Sequence, residues 1–311
     1  MKKNEIYVNE LIQETIHRFI SPTAKVNNID STPVSMGMQS VDLYRHKVRI
    51  IDHNARKDIS LISKKATITE RRALCMLLSQ SANVPFTWTK DLTEGRAYIC
   101  TQDVDYLTDY NNLDIAMLQN KELHALAFIH HANLGKREQL SWLAPADQNH
   151  IYTMIHERWR AAWKVAKNNE QFMDEFGIYV PTVESVARSI TDDMIRVLND
   201  ERTHTLIHND LNPGNVLVYN NEDVMFIDWE EARYGSLLLD VPLRFTVEQA
   251  EDYRDALASL GHEIPHSLFI RQYKMAARYL GLRYMSWNLS VWTGDPNAKQ
   301  GLKKYLNMVS Q

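Results

Sequence analysis

The 311-residue sequence has little of what would indicate export, membrane insertion or nucleic-acid binding. It contains two cysteines, Cys75 and Cys100, and their apolar surroundings favour buried thiols over a disulfide or a metal site. No apolar run approaches membrane-spanning length, and the residues after Met1 are too polar for a signal-peptide core. The formal net charge of -4 leaves no basic footprint for nucleic acid. We therefore expect a cytoplasmic protein without nucleic-acid or membrane partners.

The first third of the chain has the pattern of a small β-rich lobe. After an amphipathic opening helix, residues 41–51 and 59–64 are predicted strands around a polar turn at residues 52–58. Thr67 and Glu70 form a capping-box pattern, which predicts a helix from about Ile68. Residues 96–101 are predicted to be the last strand of this lobe.

The remainder of the chain is mainly helical by periodicity. The composition changes near residues 102–106, and helical patterns follow at residues 123–131, 149–199, 247–260 and 265–289. We predict an N-terminal lobe at residues 1–103 and a C-terminal lobe at residues 104–311. A hydrophobic fraction of 44% is sufficient for ordinary cores in both lobes.

The most informative segment is residues 207–230. It places His208, Asp210 and Asn215 in order on a loop, and Asp228 follows after a short predicted hairpin. Sites of the protein-kinase type have a catalytic Asp followed five residues later by a metal-binding Asn, and then a second metal-binding Asp. The segment therefore indicates phosphoryl transfer.

The predicted hairpin has its own register. Two β-rich runs, residues 216–219 and 224–227, flank a turn-forming segment at residues 220–223. Pairing Tyr219 with Val224 would pair Val216 with Ile227 and set Asn215 opposite Asp228. A carboxylate and an amide oxygen would then converge, as a hard cation such as Mg²⁺ requires.

These motifs resemble those of the aminoglycoside phosphotransferase and choline kinase group, which are small-molecule kinases. The resemblance covers most of the chain and implies an α+β, protein-kinase-like two-lobed fold, with a small β-rich N-lobe and a larger, mainly helical C-lobe. It also implies that ATP, with GTP as an alternative, and Mg²⁺ are cofactors. By this resemblance Asp210 would deprotonate the acceptor hydroxyl, Asn215 and Asp228 would hold Mg²⁺, and His208 would organise the catalytic loop.

Lys64 is the predicted phosphate-binding lysine, because it ends a strand and shares a face with Ile62 by alternation. Lys65 is the rival. Glu70 is the expected ion-pair partner of this lysine, although the capping box could use the same carboxylate.

The remaining predicted nucleotide contacts are Gly37, Cys100 and Gln102. Gly37 is the one glycine in the segment Ser35-Met36-Gly37-Met38-Gln39-Ser40, whereas a kinase phosphate loop usually has several. Trp229-Glu230 follows Asp228 where protein kinases have Phe-Gly, and no room remains for an activation loop. This departure argues against a protein substrate.

The acceptor is less defined by the sequence. Carboxylates after the metal motif, including Glu231 and Asp240, could complement a cationic acceptor, although a solvated helix face explains those of residues 248–255 equally well. Several aromatic residues could form an ammonium cage, but core packing is the favoured interpretation: Trp159, Trp163, Tyr284, Trp287 and Trp292.

Three functional hypotheses follow from these patterns. The first is a kinase of a small hydroxylated antibiotic, aminoglycoside-like or otherwise amino-bearing, which would confer antibiotic resistance. The second is a metabolic kinase for choline, another aminoalcohol or a sugar. The third is a catalytically silent binding protein with a kinase fold, and the intact Asp210, Asn215 and Asp228 argue against it.

Overall fold

The computed structural model of the chain describes residues 2–34 and 41–311. The described chain forms two compact units. The first unit comprises residues 1–129 and 212–232, and the second comprises residues 130–211 and 233–311. The chain therefore leaves the first unit, returns to it for 21 residues that include Asn215 and Asp228, and leaves it again.

An antiparallel sheet packed against a helix forms most of the first unit. The strand order is β1-β2-β3-β5-β4. The apolar face of helix α1 (Lys2–Phe19) buries Leu11, Ile12 and Ile16 against the sheet, because their spacing places them on one side of the helix. The strands have these bounds: β1 Lys25–Pro33, β2 Val41–Asp52, β3 Ala55–Ala66, β4 Thr87–Trp88 and β5 Ala97–Gln102.

The hairpin between β2 and β3 is tighter than expected. Asp52 pairs with Ala55, so the predicted seven-residue turn is reduced to His53 and Asn54. Both residues have positive φ, 46° and 65°, which is the backbone that a two-residue turn between twisted strands requires. The strand β1 was not predicted, because most of its side chains are polar and exposed at the edge of the sheet.

Helix α2 (Ile68–Ser79) follows the sheet at the predicted position. Thr67 is its N-cap, and the Thr67 hydroxyl accepts a hydrogen bond from the amide of Glu70 at 3.3 Å. A second hairpin, β7 (Val216–Tyr219) with β8 (Asp223–Phe226), also belongs to this unit.

The second unit is mainly helical. Its one strand pair in the described chain is β6 (His204–Ile207) with β9 (Arg233–Ser236), and a π-helical segment, Thr153–Trp159, lies between α4 and α5. Helix α3, Ile115–Ala132, belongs to the first unit up to residue 129 and ends in the second. The other helices are α4 Gln148–Tyr152, α5 Arg160–Lys167, α6 Glu170–Phe176, α7 Val180–Leu198, α8 Val241–Arg244, α9 Val247–Ser259, α10 His266–Val291 and α11 Pro296–Ser310.

Aromatic rings fill the core between these helices. Trp159 stacks on Trp163, and Phe172 makes edge contacts with Trp163 and with Trp292. The three tryptophans are buried, so core packing, not an ammonium cage, is their role. The described helices include none that is long and apolar enough to cross a membrane.

Candidate active site

The hairpin of β7 and β8 holds Asn215 and Asp228, but with a register that differs from the prediction. Val216 pairs with Phe226, not with Ile227, and the amide of Ile227 donates to the carbonyl of Asn215 at 3.0 Å. The predicted register is wrong by one residue because Asn220 and Asn221 both adopt positive φ, so a three-residue loop closes the strand pair. Ile227 therefore takes the predicted place of Asp228 beside Asn215, and Asp228 lies two residues beyond the end of β8.

The backbone at Asp228 is in the left-handed region. Its φ of 62° and ψ of 61° are uncommon for a residue with a side chain, and such strained residues cluster at functional sites. The next residue, Trp229, is fully buried, and its indole nitrogen donates to the carbonyl of Phe226 at 3.2 Å. This anchor fixes the segment from which the Asp228 carboxylate projects.

Lys64 on β3 joins two carboxylates. Its Nζ lies 2.7 Å from Oε1 of Glu70 and 3.1 Å from Oδ1 of Asp228. Burial alone would lower the pKa of Lys64, but the two carboxylates outweigh it and the pKa is raised. The two carboxylates therefore keep the amine of Lys64 protonated.

Glu70 is the buried member of this group. Burial raises its pKa, and Asp228 adds to this effect while Lys64 opposes it. The capping alternative is realised only by its backbone, since the Glu70 amide meets Thr67 while the carboxylate meets Lys64. The ion pair and the cap thus use different atoms of the same residue.

Lys65 points to the opposite side of the strand. Its Nζ lies 2.8 Å from Oδ2 of Asp42 and 5.2 Å from the centre of the Tyr98 ring. This is the divergence that strand alternation predicts for neighbouring residues. Lys64, and not Lys65, is therefore the lysine beside Asp228.

Three carboxylates of the first unit have the geometry of a cation site. Ligand oxygens of Glu70, Asp228 and Glu230 lie within 4.8 Å of one another. Arg96 forms an ion pair with Glu230 at the edge of this group. An all-oxygen donor set of this kind fits Mg²⁺ better than it fits a softer metal such as zinc.

The loop that contains His208 and Asp210 is organised within the second unit by Asp240. The Asp240 carboxylate accepts hydrogen bonds from the amides of His208 and Asn209 at 2.7 and 2.8 Å, and from His130 at 3.2 Å. Burial alone would raise the pKa of Asp240, but these hydrogen bonds lower it. His208 is fully buried, and its Nδ1 accepts from the amide of Asp210 at 3.4 Å, a contact that suits an organising residue.

This arrangement corrects the interpretation of Asp240 as part of an acidic acceptor pocket. Asp240 is 0% exposed and its oxygens accept from the amides of His208 and Asn209, so it has no surface to offer a ligand. The acidic residues of helix α9, by contrast, are exposed, as expected of a solvated helix face: Glu248, Glu251, Asp252 and Asp255.

Helix α10 contacts Asn209 and Asp210 in a way that no sequence pattern indicated. The Tyr284 hydroxyl donates to Oδ1 of Asp210 at 3.0 Å, and Arg283 donates to the Asn209 side chain at 2.7 Å and to its carbonyl at 2.8 Å. Asn209 has a positive φ of 62°. Burial keeps the pKa of Tyr284 well above its usual value, so the hydroxyl stays a donor. The cage hypothesis considered Tyr284 only as an aromatic surface.

The predicted nucleotide contacts have different positions. Gly37 lies outside the described residues. Cys100 is fully buried in the core under helix α1, and burial raises the pKa of its thiol to about 12, so any nucleotide contact there would use its backbone. The amide of Gln102 donates to the carbonyl of Phe86 at 3.0 Å. Both contacts stay predictions.

One family model matches this chain, and several solved structures have a similar fold. A family model described as the phosphotransferase enzyme family matches residues 88–266, more than half of the chain. A search of curated protein sequences finds no significant match.

Solved structures with a similar fold include three kinases. Spectinomycin phosphotransferase in complex with ADP and spectinomycin is 13% identical, with a TM-score of 0.60 over 92% of this chain and 93% of that chain. Choline kinase from Streptococcus pneumoniae is 14% identical, with a TM-score of 0.52 over 98% and 99%. Plasmodium vivax ethanolamine kinase is 13% identical, with a TM-score of 0.55 over 100% and 89%. The predicted protein-kinase-like α+β class is confirmed.

Proposed function

Because the chain belongs to the phosphotransferase enzyme family, we propose that it transfers a phosphoryl group from ATP to a hydroxyl of a small molecule. The observation on which the proposal rests is Lys64, whose ammonium lies 2.7 Å from Glu70 and 3.1 Å from Asp228. Phosphoryl transfer requires positive charge at the phosphate oxygens, which an ordered lysine beside a metal-binding carboxylate can supply together with the metal. GTP is the alternative donor.

Asn215 and Asp228 would hold Mg²⁺ on the nucleotide, and Glu230 would complete the oxygen cluster. When bound, the metal supplies charge neutralisation at the phosphate oxygens. Lys64 contributes a second positive charge for the same phosphates, and Glu70 keeps its side chain extended toward them. The residues of the chain therefore act mainly by positioning and electrostatics.

Asp210 would accept the proton of the acceptor hydroxyl. The Tyr284 hydroxyl fixes the rotation of the Asp210 carboxylate, and Asp240 fixes the loop by binding its amides. Such preorganisation matters because a general base must lie within hydrogen-bond reach of the proton that it removes.

The segment after Asp228 supports a small acceptor. Only four residues separate Asp228 from strand β9, so no long activation loop is available to bind a polypeptide. We propose an amino-bearing antibiotic as the acceptor, with metabolic aminoalcohols and sugars as the second class. The kinases of similar fold act, by their names, on compounds of both kinds.

The proposal is tested with the wild-type protein and an Asp210→Asn variant. ADP release is measured with Mg-ATP or Mg-GTP and a panel of antibiotics, aminoalcohols and sugars, and thermal shift reports binding without turnover. We expect acceptor-dependent ADP release by the wild type and none by the variant. Ligand-induced stabilisation without ADP release for any acceptor would indicate a silent binding protein instead.

A further inference from the structure

Arg96, the residue before strand β5, is bound to a carboxylate of the candidate cation site. Its two terminal nitrogens donate to the two oxygens of Glu230, and the longer of these hydrogen bonds measures 3.3 Å. One of the nitrogens also donates to the carbonyl of Lys65 at 3.3 Å. Arginine matches a carboxylate best in this forked geometry. A cation of the protein itself therefore occupies Glu230, one of three carboxylates whose oxygens lie within 4.8 Å of one another.

The backbone that leads to Arg96 is anchored, whereas its side chain is accessible. Arg71 on helix α2 is fully buried and donates to the carbonyls of Thr93 and Gly95 at 2.9 and 2.6 Å. The Arg96 side chain, by contrast, is 36% exposed, and that of Glu230 is 24% exposed. The main chain before Arg96 therefore has a fixed position, while its guanidinium lies where water and ions have access.

Glu70 gives an independent indication that a cation binds in this cluster. Its side chain is 1% exposed, and its Oε1 lies 2.7 Å from Nζ of Lys64. The second carboxylate oxygen, Oε2, is buried and has no hydrogen-bond partner within the described part of the chain. Buried polar atoms without a partner are rare in folded proteins and require an explanation such as a bound ion. Lys64 thus satisfies one oxygen of Glu70, and the other is available to a ligand.

The charges of the cluster also favour a further cation. Its three carboxylates carry three negative charges, and one of them is buried while two are half-buried. Lys64 and Arg96, which contact these carboxylates, carry two positive charges, so the group has a net charge of -1. A divalent cation is attracted more strongly to such a partly buried charge than to one in water. Carboxylate oxygens are the ligands that hard cations such as Mg²⁺ and Mn²⁺ prefer.

We propose that the cluster of Glu70, Asp228 and Glu230 binds a hard divalent cation in the nucleotide-free protein. Arg96 competes with that cation for the Glu230 carboxylate and so lowers the affinity of the site. The cation must therefore displace the guanidinium from at least one oxygen of Glu230. Binding of the cation does not depend on phosphoryl transfer, whereas its use in that reaction rests on the proposed function.

Arg96→Gln is the main variant for the test, because it removes the competing charge and leaves the three carboxylates in place. Arg96→Lys retains the charge and therefore separates its effect from that of packing. Arg49→Gln is the matched control, since Arg49 also forms a forked ion pair on the same sheet, with Asp58 at 2.9 and 3.4 Å. Asp58 precedes Lys64 on β3 by six residues, which is roughly 20 Å along a strand.

Mn²⁺ is the probe, and its binding to each nucleotide-free protein is measured from the loss of the electron paramagnetic resonance signal of free Mn²⁺. We expect Arg96→Gln to bind Mn²⁺ about fivefold or more tightly than wild type. Arg49→Gln should bind it like wild type, and Arg96→Lys should lie closer to wild type than to Arg96→Gln. No binding by Arg96→Gln, or equal affinities of Arg96→Gln and either wild type or Arg96→Lys, would overturn the proposal.

Two further variants locate the bound ion. Glu230→Gln should weaken Mn²⁺ binding about tenfold or more, and Arg96→Gln should no longer tighten binding in the Glu230→Gln background. Asn215→Ala should bind Mn²⁺ like wild type when nucleotide is absent. Loss of binding in Asn215→Ala, with binding by Glu230→Gln intact, would place the ion on Asn215 and Asp228 and overturn the site. Absence of ADP release with any acceptor, while Mn²⁺ binding follows the expected pattern, would refute the proposed function alone.

Discussion

Asp210 and Asp228 have different surroundings, so we expect their substitution to impair different steps, turnover for Asp210 and nucleotide binding for Asp228. The loop of Asp210 is held by Tyr284 and Asp240, whereas Asp228 contacts Lys64 in the first unit. Asp210→Ala should abolish turnover and leave Mg-nucleotide binding nearly unchanged. Asp228→Ala should weaken nucleotide binding most when Mg²⁺ is limiting. Nucleotide titrations at two Mg²⁺ concentrations check this, and near-wild-type turnover of Asp210→Ala would disprove its role as base.

The Tyr284 hydroxyl has a separate consequence. Tyr284→Phe keeps the ring but removes the hydroxyl, which lies 3.0 Å from Oδ1 of Asp210 and 3.1 Å from the carbonyl of Asn209. We therefore expect kcat to fall about tenfold while the KM for ATP stays constant. Tyr273→Phe is the control, because Tyr273 also lies on helix α10 and its hydroxyl donates to the carbonyl of Phe245 at 2.7 Å. An unchanged kcat in Tyr284→Phe would show that the contact does not position the base.

The two neighbouring lysines allow a third comparison. Lys64→Ala should lower turnover or raise the KM for ATP by about tenfold or more, whereas Lys65→Ala should change either by less than about threefold. The reason is that Lys64 contacts Asp228 and Lys65 contacts Asp42. Because Lys64→Ala also leaves Glu70 buried without its cation, melting temperatures are measured with the kinetics. Equal losses would contradict the assignment.

At the scale of elements, the sequence correctly predicted those features that depend on interactions between residues close together in the chain. The capping of α2 and the existence of both hairpins follow from residues within a few positions of one another. The register of the β7–β8 hairpin did not follow, because three-residue and four-residue loops both suit its turn sequence. Backbone conformation at Asn220 and Asn221 decides between them.

Long-range contacts of helix α10 were beyond local patterns altogether. Arg283 and Tyr284 reach Asn209 and Asp210 across 74 positions of sequence. Their spacing in the helix is compatible with either core or surface, so periodicity alone assigns them no role. Asp240 was misinterpreted for a similar reason, since an acidic residue in sequence gives no sign of whether loop amides surround it.

At the scale of the whole molecule, the chain divides its motif between the two units. Asp210 belongs to the second unit, and Asn215, only five positions later, belongs to the first. The sequence indicates a composition change near residue 103 but contains no signal at residues 211–212, where the chain passes between units. The predicted lobes at residues 1–103 and 104–311 stay a prediction.

Stability toward acid is a property of the whole chain to which buried His46 contributes. Its ring nitrogens lie 2.8 Å from the Ser31 hydroxyl and 2.7 Å from the Ser63 hydroxyl, so a neutral ring is satisfied. Burial lowers its pKa to about 4 from 6.5. Below about pH 6.5 His46 is therefore protonated in the unfolded chain but stays neutral in the folded chain. The free energy of unfolding falls as the pH is lowered, until about pH 4.

This titration predicts that the contribution of His46 lowers the free energy of unfolding by about 2 kcal/mol when the pH falls from about 7 to about 5. In urea unfolding experiments, the free energy of unfolding should decrease less between the two pH values for His46→Gln than for wild type. His53→Gln is the control, because the His53 side chain is 82% exposed and should retain the full wild-type dependence. An identical pH dependence in His46→Gln and wild type would mean that the folded protein accommodates a charged His46.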